Sequence, residues 1–126
     1  NREIRKKFEM SDLFILTSLF EGFPNVLLEA QAAGMPIVAT DIPHVSDLIN
    51  SDNAYLFQPR DYKQLGNIFL KLYRNEEELC RLSQASLRTS AEFFSKNPFE
   101  INAQVFREIY AESRMSKDKP VSNTII

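Results

Sequence analysis

The sequence predicts an α/β domain: a doubly wound parallel sheet of about three strands, followed by helices at the C-terminal end. Residues 13–16, 36–39 and 54–57 form apolar runs without alternation, as in strands buried on both faces of a parallel sheet. Helical patterns follow the first and third runs, which is the order of a doubly wound layer. Three strands make only half of such a sheet.

Length, composition and charge indicate one soluble domain. The chain has 126 residues, of which 44% are hydrophobic and 25% charged, as in ordinary globular proteins. The net charge of −2 gives no general electrostatic reason to bind nucleic acid or an anionic membrane. A basic cluster near the start is interpreted as a solvated helix face rather than a phosphate- or membrane-binding patch. It consists of Arg2, Arg5, Lys6 and Lys7.

The single cysteine excludes an intrachain disulfide, which is typical of a reducing compartment. Cys80 lies between Leu79 and Leu82 in a helical pattern, so we expect a small buried or half-buried side chain rather than a catalytic thiol. No apolar run approaches the roughly 20 residues that span a bilayer. The first residues include neither an initiator Met nor a signal peptide, and we expect the chain to be part of a longer protein.

Helices are predicted before, between and after the strands. Ile4 and Phe8 are spaced i, i+4 in a charged segment, which indicates a short amphipathic helix. The helix after the first strand is expected to begin at Pro24, which has no N–H to leave unpaired, and to end at Gly34. One helical turn is expected over residues 45–49, inside the loop that precedes the third strand.

Three helices are predicted after the third strand. Asp61 and Asn75 are the expected caps of the first two, and the third is expected to begin at Asn97. The apolar face of the first helix has the spacing i, i+3, i+4, i+7, i+8. It comprises Leu65, Ile68, Phe69, Leu72 and Tyr73.

Two glutamates border the connection after the first strand. Glu21 lies in the loop, and Glu29 lies about one turn into the following helix. Ligands of open α/β sheets bind outside the carboxyl ends of the strands, so we expect both carboxylates to border one crevice. The free N–H groups of Asn25 and Val26 suit a phosphate, and carboxylates accept hydrogen bonds from sugar hydroxyls. The pattern fits a nucleotide-sugar site, although two glutamates at this spacing are by themselves more often solvated.

Three stretches give the sequence a resemblance to a known family. They are Ser-Asp-Leu-Phe-Ile-Leu-Thr-Ser at 11–18, Glu-Gly-Phe-Pro-Asn-Val-Leu-Leu-Glu-Ala at 21–30 and Ala-Gly-Met-Pro-Ile-Val-Ala-Thr-Asp at 33–41. They closely resemble family-four (group 1) glycosyltransferases of the GT-B fold, and a weaker resemblance extends over residues 4–112. The resemblance implies part of a C-terminal donor-binding domain over residues 1–115, with a polar, disordered tail over 116–126.

The resemblance also implies a reaction and a set of site residues. Such enzymes transfer a sugar from a nucleotide sugar, here a UDP- or GDP-sugar, to an acceptor with retention at the anomeric carbon. Glu21 matches the glutamate that contacts the donor sugar and is the catalytic candidate, while Glu29 matches the one that binds the ribose hydroxyls. No metal ion or other cofactor is generally required in the family, since helix dipoles and basic residues offset the diphosphate charge. The matched donor-binding loop is Gly22, Phe23, Pro24, Asn25 and Val26.

Relatives of this type most commonly build cell-surface polysaccharide or glycolipid. We therefore expect a cytoplasmic enzyme, with peripheral association at the inner face of the membrane as one option. The saccharide or lipid-linked acceptor would bind an N-terminal domain that precedes this sequence. Without it, the isolated chain is expected to be inactive and to self-associate through the strand at residues 13–16.

Several positions depart from the family pattern. Pro43 and His44 stand where the family often has Gly-Gly, Asp47 replaces a usual Glu, and Tyr55 replaces a Gly. His44 is interpreted as a surface residue, with a position facing the site as the alternative. Two other functions remain open at this point: a non-catalytic nucleotide-sugar-binding or interaction module completed by another chain, and a nucleotide-sugar epimerase of the same architecture.

Overall fold

The computed structural model describes residues 2–96. The helix predicted from Asn97 and the predicted tail over 116–126 lie outside this range. The described part contains seven elements in chain order. They are α1 (Arg2–Glu9), β1 (Phe14–Leu16), α2 (Asn25–Ala32), β2 (Ile37–Thr40), β3 (Ala54–Phe57), α3 (Tyr62–Leu72) and α4 (Glu76–Lys96).

The three predicted strands are confirmed and form one parallel sheet in the order β1-β2-β3. Ile37 of β2 lies opposite Phe14 on one side and Ala54 on the other. All four residues of β2 are buried, because the strand has a neighbour on each side and packed helices above and below. This position explains why its sequence is a continuous apolar run rather than an alternating one.

Helices cover both faces of the sheet, and successive strand residues alternate between the two faces. Phe14, Ile37 and Ala54 pack with residues of α1, α2 and the segment 42–49. Leu13, Val38 and other strand residues on the opposite face pack with α3 and α4. The doubly wound arrangement expected from the order of the elements is therefore present.

The predicted role of Gly34 in terminating α2 is confirmed, with Ala32 as the last helical residue. Gly34 has φ +70° and donates its N–H to the carbonyl of Gln31, while Met35 donates to Ala30, both at 2.9 Å. These two bonds form a Schellman motif, which needs a left-handed residue that glycine supplies without strain. A Cβ at this position would lie 3.2 Å from the Leu87 side chain of α4, so glycine also permits the close approach of the two helices.

The caps of α3 and α4 are confirmed as well. Asp61 Oδ1 accepts a hydrogen bond from the Gln64 N–H at 2.8 Å, and Asn75 Oδ1 accepts one from the Glu78 N–H at 3.1 Å. These side chains satisfy amides that have no carbonyl partner within the first turn of a helix. The predicted turn over 45–49 takes the form of hydrogen-bonded turns, with the Ile49 N–H donating to the carbonyl of Val45 at 3.2 Å.

Two burial predictions are wrong. Cys80 is exposed, because it lies about 200° around α4 from the buried Leu82, at 100° per residue. Tyr73 is also exposed, because α3 ends at Leu72 and the chain has left the helix by the next residue. Within residues 2–96, no helix is both long and apolar enough to cross a membrane.

Candidate functional site

The carboxyl ends of the three parallel strands lie at one edge of the sheet, at Leu16, Thr40 and Phe57. The connections that leave this edge are residues 17–24 and 41–53 and the short turn after β3. Such an edge is where open α/β sheets bind their ligands. The structure places the sequence-predicted site residues here, in the first connection and at the start of α2. They are Glu21, Gly22, Phe23, Pro24, Asn25 and Val26, with Glu29 on the next turn of the helix.

A buried hydroxyl connects β2 to the loop that carries Glu21. Thr40 is 1% exposed and donates its Oγ1–H to the Ser18 carbonyl at 2.6 Å, with the Leu16 carbonyl at 3.5 Å. The Ser18 hydroxyl in turn donates to Oε1 of Glu21. The orientation of the Glu21 carboxylate is thus fixed by a chain of hydrogen bonds that begins in the central strand. Ser18 and Thr40 were missed by sequence reasoning; the available signal was a threonine at the end of an otherwise apolar buried strand.

Both predicted carboxylates are half-buried. Glu29 lies between Leu28 and Ala30, which are completely buried, so its side chain emerges at the margin of the buried face of α2. Glu21 has Oε1 bonded to Ser18, and a carboxylate has further lone pairs on each oxygen. Carboxylates held at such a margin can accept hydrogen bonds from the hydroxyl groups of a ligand.

The helix N-terminus offers fewer free amides than predicted. Pro24 has φ −80° and ψ 75°, the conformation of an inverse γ-turn, and the Asn25 N–H donates to the Phe23 carbonyl at 2.9 Å to close that turn. The expectation of a free Asn25 N–H is therefore wrong, and α2 begins at Asn25 instead of Pro24. Val26 remains in the first turn of α2, where amides have no carbonyl partner within the helix.

The space next to Gly22 is open. A Cβ added at this residue meets no atom within 4 Å, and the residue is not in the left-handed region of φ. Neither packing nor backbone conformation within the described residues therefore requires a glycine here. A glycine with open space above it allows the backbone to approach a ligand closely.

The second connection also has a defined geometry at this edge. Asp41 donates its N–H to the Phe57 carbonyl at 2.8 Å and accepts a hydrogen bond from the Gln58 side chain at 3.1 Å, which joins the ends of β2 and β3. Further along, His44 has φ +67°, and its Nδ1 lies 3.6 Å from Oδ2 of Asp47. Within residues 2–96, no three His, Cys, Asp or Glu side chains are grouped so that they could hold a metal ion.

A separate polar cluster lies toward the amino ends of the strands. The Tyr55 hydroxyl donates to Glu78 at 2.7 Å, and Arg81 donates two hydrogen bonds of 2.8 Å to the same carboxylate and a third to the Asp52 carbonyl. The Arg81 guanidinium, followed by the Tyr55 hydroxyl, lowers the pKa of the Glu78 carboxyl from 4.5 to about 2. Lys71 lies over the Tyr55 ring, with its Nζ 4.8 Å from the centroid. These contacts join β3, α3 and α4, so this cluster stabilises the fold.

Comparison with known protein families identifies the class of protein to which this fold belongs. Residues 1–89 match the model of the family described as "Glycosyl transferases group 1". The match covers more than half of the chain, and the protein belongs to this family. The resemblance inferred from the three sequence stretches is thereby confirmed.

Individual relatives are bacterial glycosyltransferases. The chain is 40% identical over 60 residues to the lipopolysaccharide 1,6-galactosyltransferase of Escherichia coli, which covers 46% of this chain and 17% of that enzyme. It is 30% identical over 97 residues to the MMP alpha-(1->4)-mannosyltransferase of Mycolicibacterium hassiacum, and this match covers 75% of the present chain and 24% of that enzyme. The chain thus spans about a fifth of the length of the curated relatives it matches.

A solved structure shares the fold. The crystal structure of TarM matches with a TM-score of 0.66 and 22% identity, over 90% of this chain and 21% of that one. Together with the family match and the parallel sheet, this likeness confirms the predicted α/β, GT-B-type fold class.

Proposed function

We propose that the chain is the donor-binding part of a retaining glycosyltransferase that transfers a hexosyl group from a UDP- or GDP-sugar to a saccharide or lipid-linked acceptor. The observation that carries this proposal is the loop 17–24. It holds the Glu21 carboxylate through Ser18 and Thr40, and it has open space at Gly22 beside the start of α2. Sugar hydroxyls need acceptors, which Glu21 of this loop supplies, and a diphosphate needs amides, of which the first turn of α2 supplies that of Val26.

Each residue has a separate part in this proposal. Glu21 accepts hydrogen bonds from the donor sugar, Glu29 accepts them from the ribose hydroxyls, and the Val26 amide faces the diphosphate. In the transfer, the bond between the anomeric carbon and the phosphate oxygen breaks, and its electron pair leaves with the nucleoside diphosphate. The acceptor hydroxyl forms the new bond on the same face of the sugar, and its proton passes to the departing diphosphate oxygen. The positive end of the α2 dipole stabilises the charge that develops on the departing phosphate.

The proposal includes no resident cofactor and no metal ion. The first turn of α2 supplies part of the positive potential that a diphosphate needs, and basic side chains would supply the rest. Transfer activity of the full-length protein that survives EDTA treatment is the expected result, and a requirement for added magnesium or manganese would refute this part of the proposal.

We place the enzyme in the synthesis of cell-surface polysaccharide or glycolipid, in the cytoplasm or at the inner face of the membrane. The names of two relatives support this setting: the lipopolysaccharide galactosyltransferase and the amylovoran biosynthesis glycosyltransferase AmsK of Erwinia amylovora. The acceptor is proposed to bind outside residues 2–96. Purified residues 1–126 are accordingly expected to transfer no sugar, because groups from both sides of a cleft are needed to stabilise the transition state.

Binding and turnover of two variants test the assignment. In the full-length protein, Glu29→Ala should weaken donor binding by about 1–3 kcal/mol, the cost of unpaired ribose hydroxyls. Glu21→Gln should lower turnover while free UDP or GDP binds normally. Saturation-transfer NMR against a panel of UDP- and GDP-sugars identifies the donor, and calorimetry gives its Kd.

The matched control is Glu77→Ala, which removes an exposed helical glutamate from the first turn of α4, away from the carboxyl edge. Unchanged donor affinity in Glu29→Ala would contradict the role of Glu29. Equal losses for donor and free nucleotide in Glu21→Gln would contradict the role of Glu21. Donor binding without transfer to any acceptor would favour the non-catalytic alternative, and turnover of a nucleotide sugar without an acceptor would favour an epimerase.

A further inference from the structure

The turn after β2 has a histidine where its backbone favours glycine. The Val45 N–H donates to the Ile42 carbonyl at 3.2 Å, which makes Pro43 and His44 the two central residues of a turn. A type II turn places Pro and Gly in these positions, because its third residue has a positive φ. His44 has φ +67°. A side chain is thus kept at a backbone position that glycine would occupy without strain.

The imidazole of His44 is not used to build the core. The side chain is 55% exposed, and its Nδ1 lies 3.6 Å from Oδ2 of Asp47, which is itself exposed. With Nδ1 on the side of Asp47, the second ring nitrogen, Nε2, lies at a different position of the ring and can make another contact. Strained residues at the functional edge of a fold motivate a functional hypothesis when packing does not explain them.

The turn belongs to the same bonded unit as Glu21. Thr40 ends β2 four residues before His44, and its hydroxyl donates to the Ser18 carbonyl in the neighbouring connection. Ser18 donates to Glu21. The connections that carry His44 and Glu21 therefore leave adjacent strands at the same edge and are joined at their bases.

We propose that His44 contacts the sugar of the bound donor through Nε2, with Nδ1 on the side of Asp47, and thereby helps to determine which donor sugar the protein accepts. This inference rests on the proposed function, since it places a second polar group beside the sugar that Glu21 contacts. An imidazole nitrogen forms one hydrogen bond with a hydroxyl, as donor or as acceptor according to its tautomer. A glycine at this position would provide the turn without that contact.

The test compares stability with binding in three variants of the full-length protein. His44→Gly removes the imidazole and relieves the backbone, whereas His44→Asn keeps a polar side chain that tolerates positive φ. Arg74→Gly is the matched control, because Arg74 also has a positive φ, of 55°, in the turn between α3 and α4. The probes are UDP-glucose and GDP-mannose, with UDP and GDP as their sugar-free counterparts, and the readouts are Kd by calorimetry and the thermal midpoint.

In His44→Gly, we expect an unchanged or higher midpoint, a Kd for the nucleotide sugar that rises about 3- to 10-fold, as for one lost hydrogen bond, and an unchanged Kd for UDP or GDP. His44→Asn should recover part of the lost affinity for the nucleotide sugar. Arg74→Gly should likewise leave the thermal midpoint unchanged or higher, without any effect on the Kd for either ligand. A purely structural histidine would give the opposite result, a lower midpoint with unchanged affinity.

Three outcomes would overturn the inference alone, while the wild-type protein still binds a donor. They are an unchanged Kd for the nucleotide sugar in His44→Gly, an equal loss for UDP-glucose and UDP, and weaker binding that accompanies a lower midpoint. If the wild-type protein binds neither nucleotide sugar nor free nucleotide, the proposed function fails, and this inference fails with it.

Discussion

The hydroxyl of Thr40 can be removed with little change in side-chain shape, which makes it the most direct test of how the site is held. Thr40→Val deletes the 2.6 Å hydrogen bond to the Ser18 carbonyl, at a cost of about 0.5–1.5 kcal/mol in the free energy of unfolding. Thr40→Ser keeps the hydroxyl and deletes one buried methyl group, at a cost of about 1 kcal/mol. The two variants should therefore be destabilised by similar amounts.

Their effects on the site should differ. Thr40→Val frees Ser18 and with it the Glu21 carboxylate, so donor binding and transfer should fall about 10-fold, because a misplacement of about 1 Å in a site has large effects on rate. Thr40→Ser should retain near-normal binding and transfer. Urea denaturation measures the free energy of unfolding, and calorimetry with the donor measures binding. Equal loss of donor binding in the two variants would show that Thr40 acts through packing, and the proposed chain of hydrogen bonds would be refuted.

Three further predictions concern other parts of the molecule. Glu78→Gln should lower the free energy of unfolding by about 1–2 kcal/mol at pH 7, less than the full pKa shift implies because Arg81 is partly solvated. Since the folded pKa of Glu78 is lowered to about 2, the difference in the free energy of unfolding between wild type and variant should hold above about pH 4.5 and vanish as the pH falls toward 2. A pH-independent difference in urea denaturation would contradict this prediction. Gly22→Ala should leave the thermal midpoint nearly unchanged, because no atom lies within 4 Å of the added Cβ. The same variant should weaken donor binding about 10-fold in calorimetry. A loss of stability with unchanged donor binding would argue against a ligand in that space. Ile15→Lys should reduce self-association of purified residues 1–126 in sedimentation velocity, because within the described residues β1 pairs only with β2 and its apolar sequence does not protect an edge. The control variant Leu70→Lys, on the exposed surface of α3, should not reduce self-association. A wild-type chain that stays monomeric at high concentration would exclude association through this edge.

The parts of the fold that sequence reasoning predicted correctly are specified by local chemistry. The strands are apolar runs because both faces of the sheet are covered, and Asp61 and Asn75 cap helices because the next turn presents unpaired amides to them. Gly34 ends α2 for an equally local reason, its left-handed φ. Each of these signals lies within about four residues of the feature it specifies.

The parts that sequence reasoning missed depend on distant contacts or on exact dihedral angles. The hydrogen bond from Thr40 to Ser18 joins residues 22 positions apart, and no local pattern relates them. Whether the Asn25 N–H is free depends on the ψ of Pro24, because at 75° the γ-turn uses that amide. The exposure of Cys80 is a different case, because the helical spacing from Leu82 was itself enough to place this residue away from the buried face.

Exposed apolar side chains distinguish the carboxyl end of the sheet from the amino end. Toward the amino ends of the strands, the contacts of Glu78 with Tyr55 and Arg81 hold β3 and α4 together. At the carboxyl end, His44 has a strained φ, and the loop 17–24 exposes Leu19, Phe20 and Phe23, with Phe20 at 85%. Three large apolar side chains in one short loop cost solubility, and clusters of this kind mark contact surfaces. The exposed apolar surface of this loop lies beside Glu21, which supports the proposal that the carboxyl edge is where this chain binds its ligand.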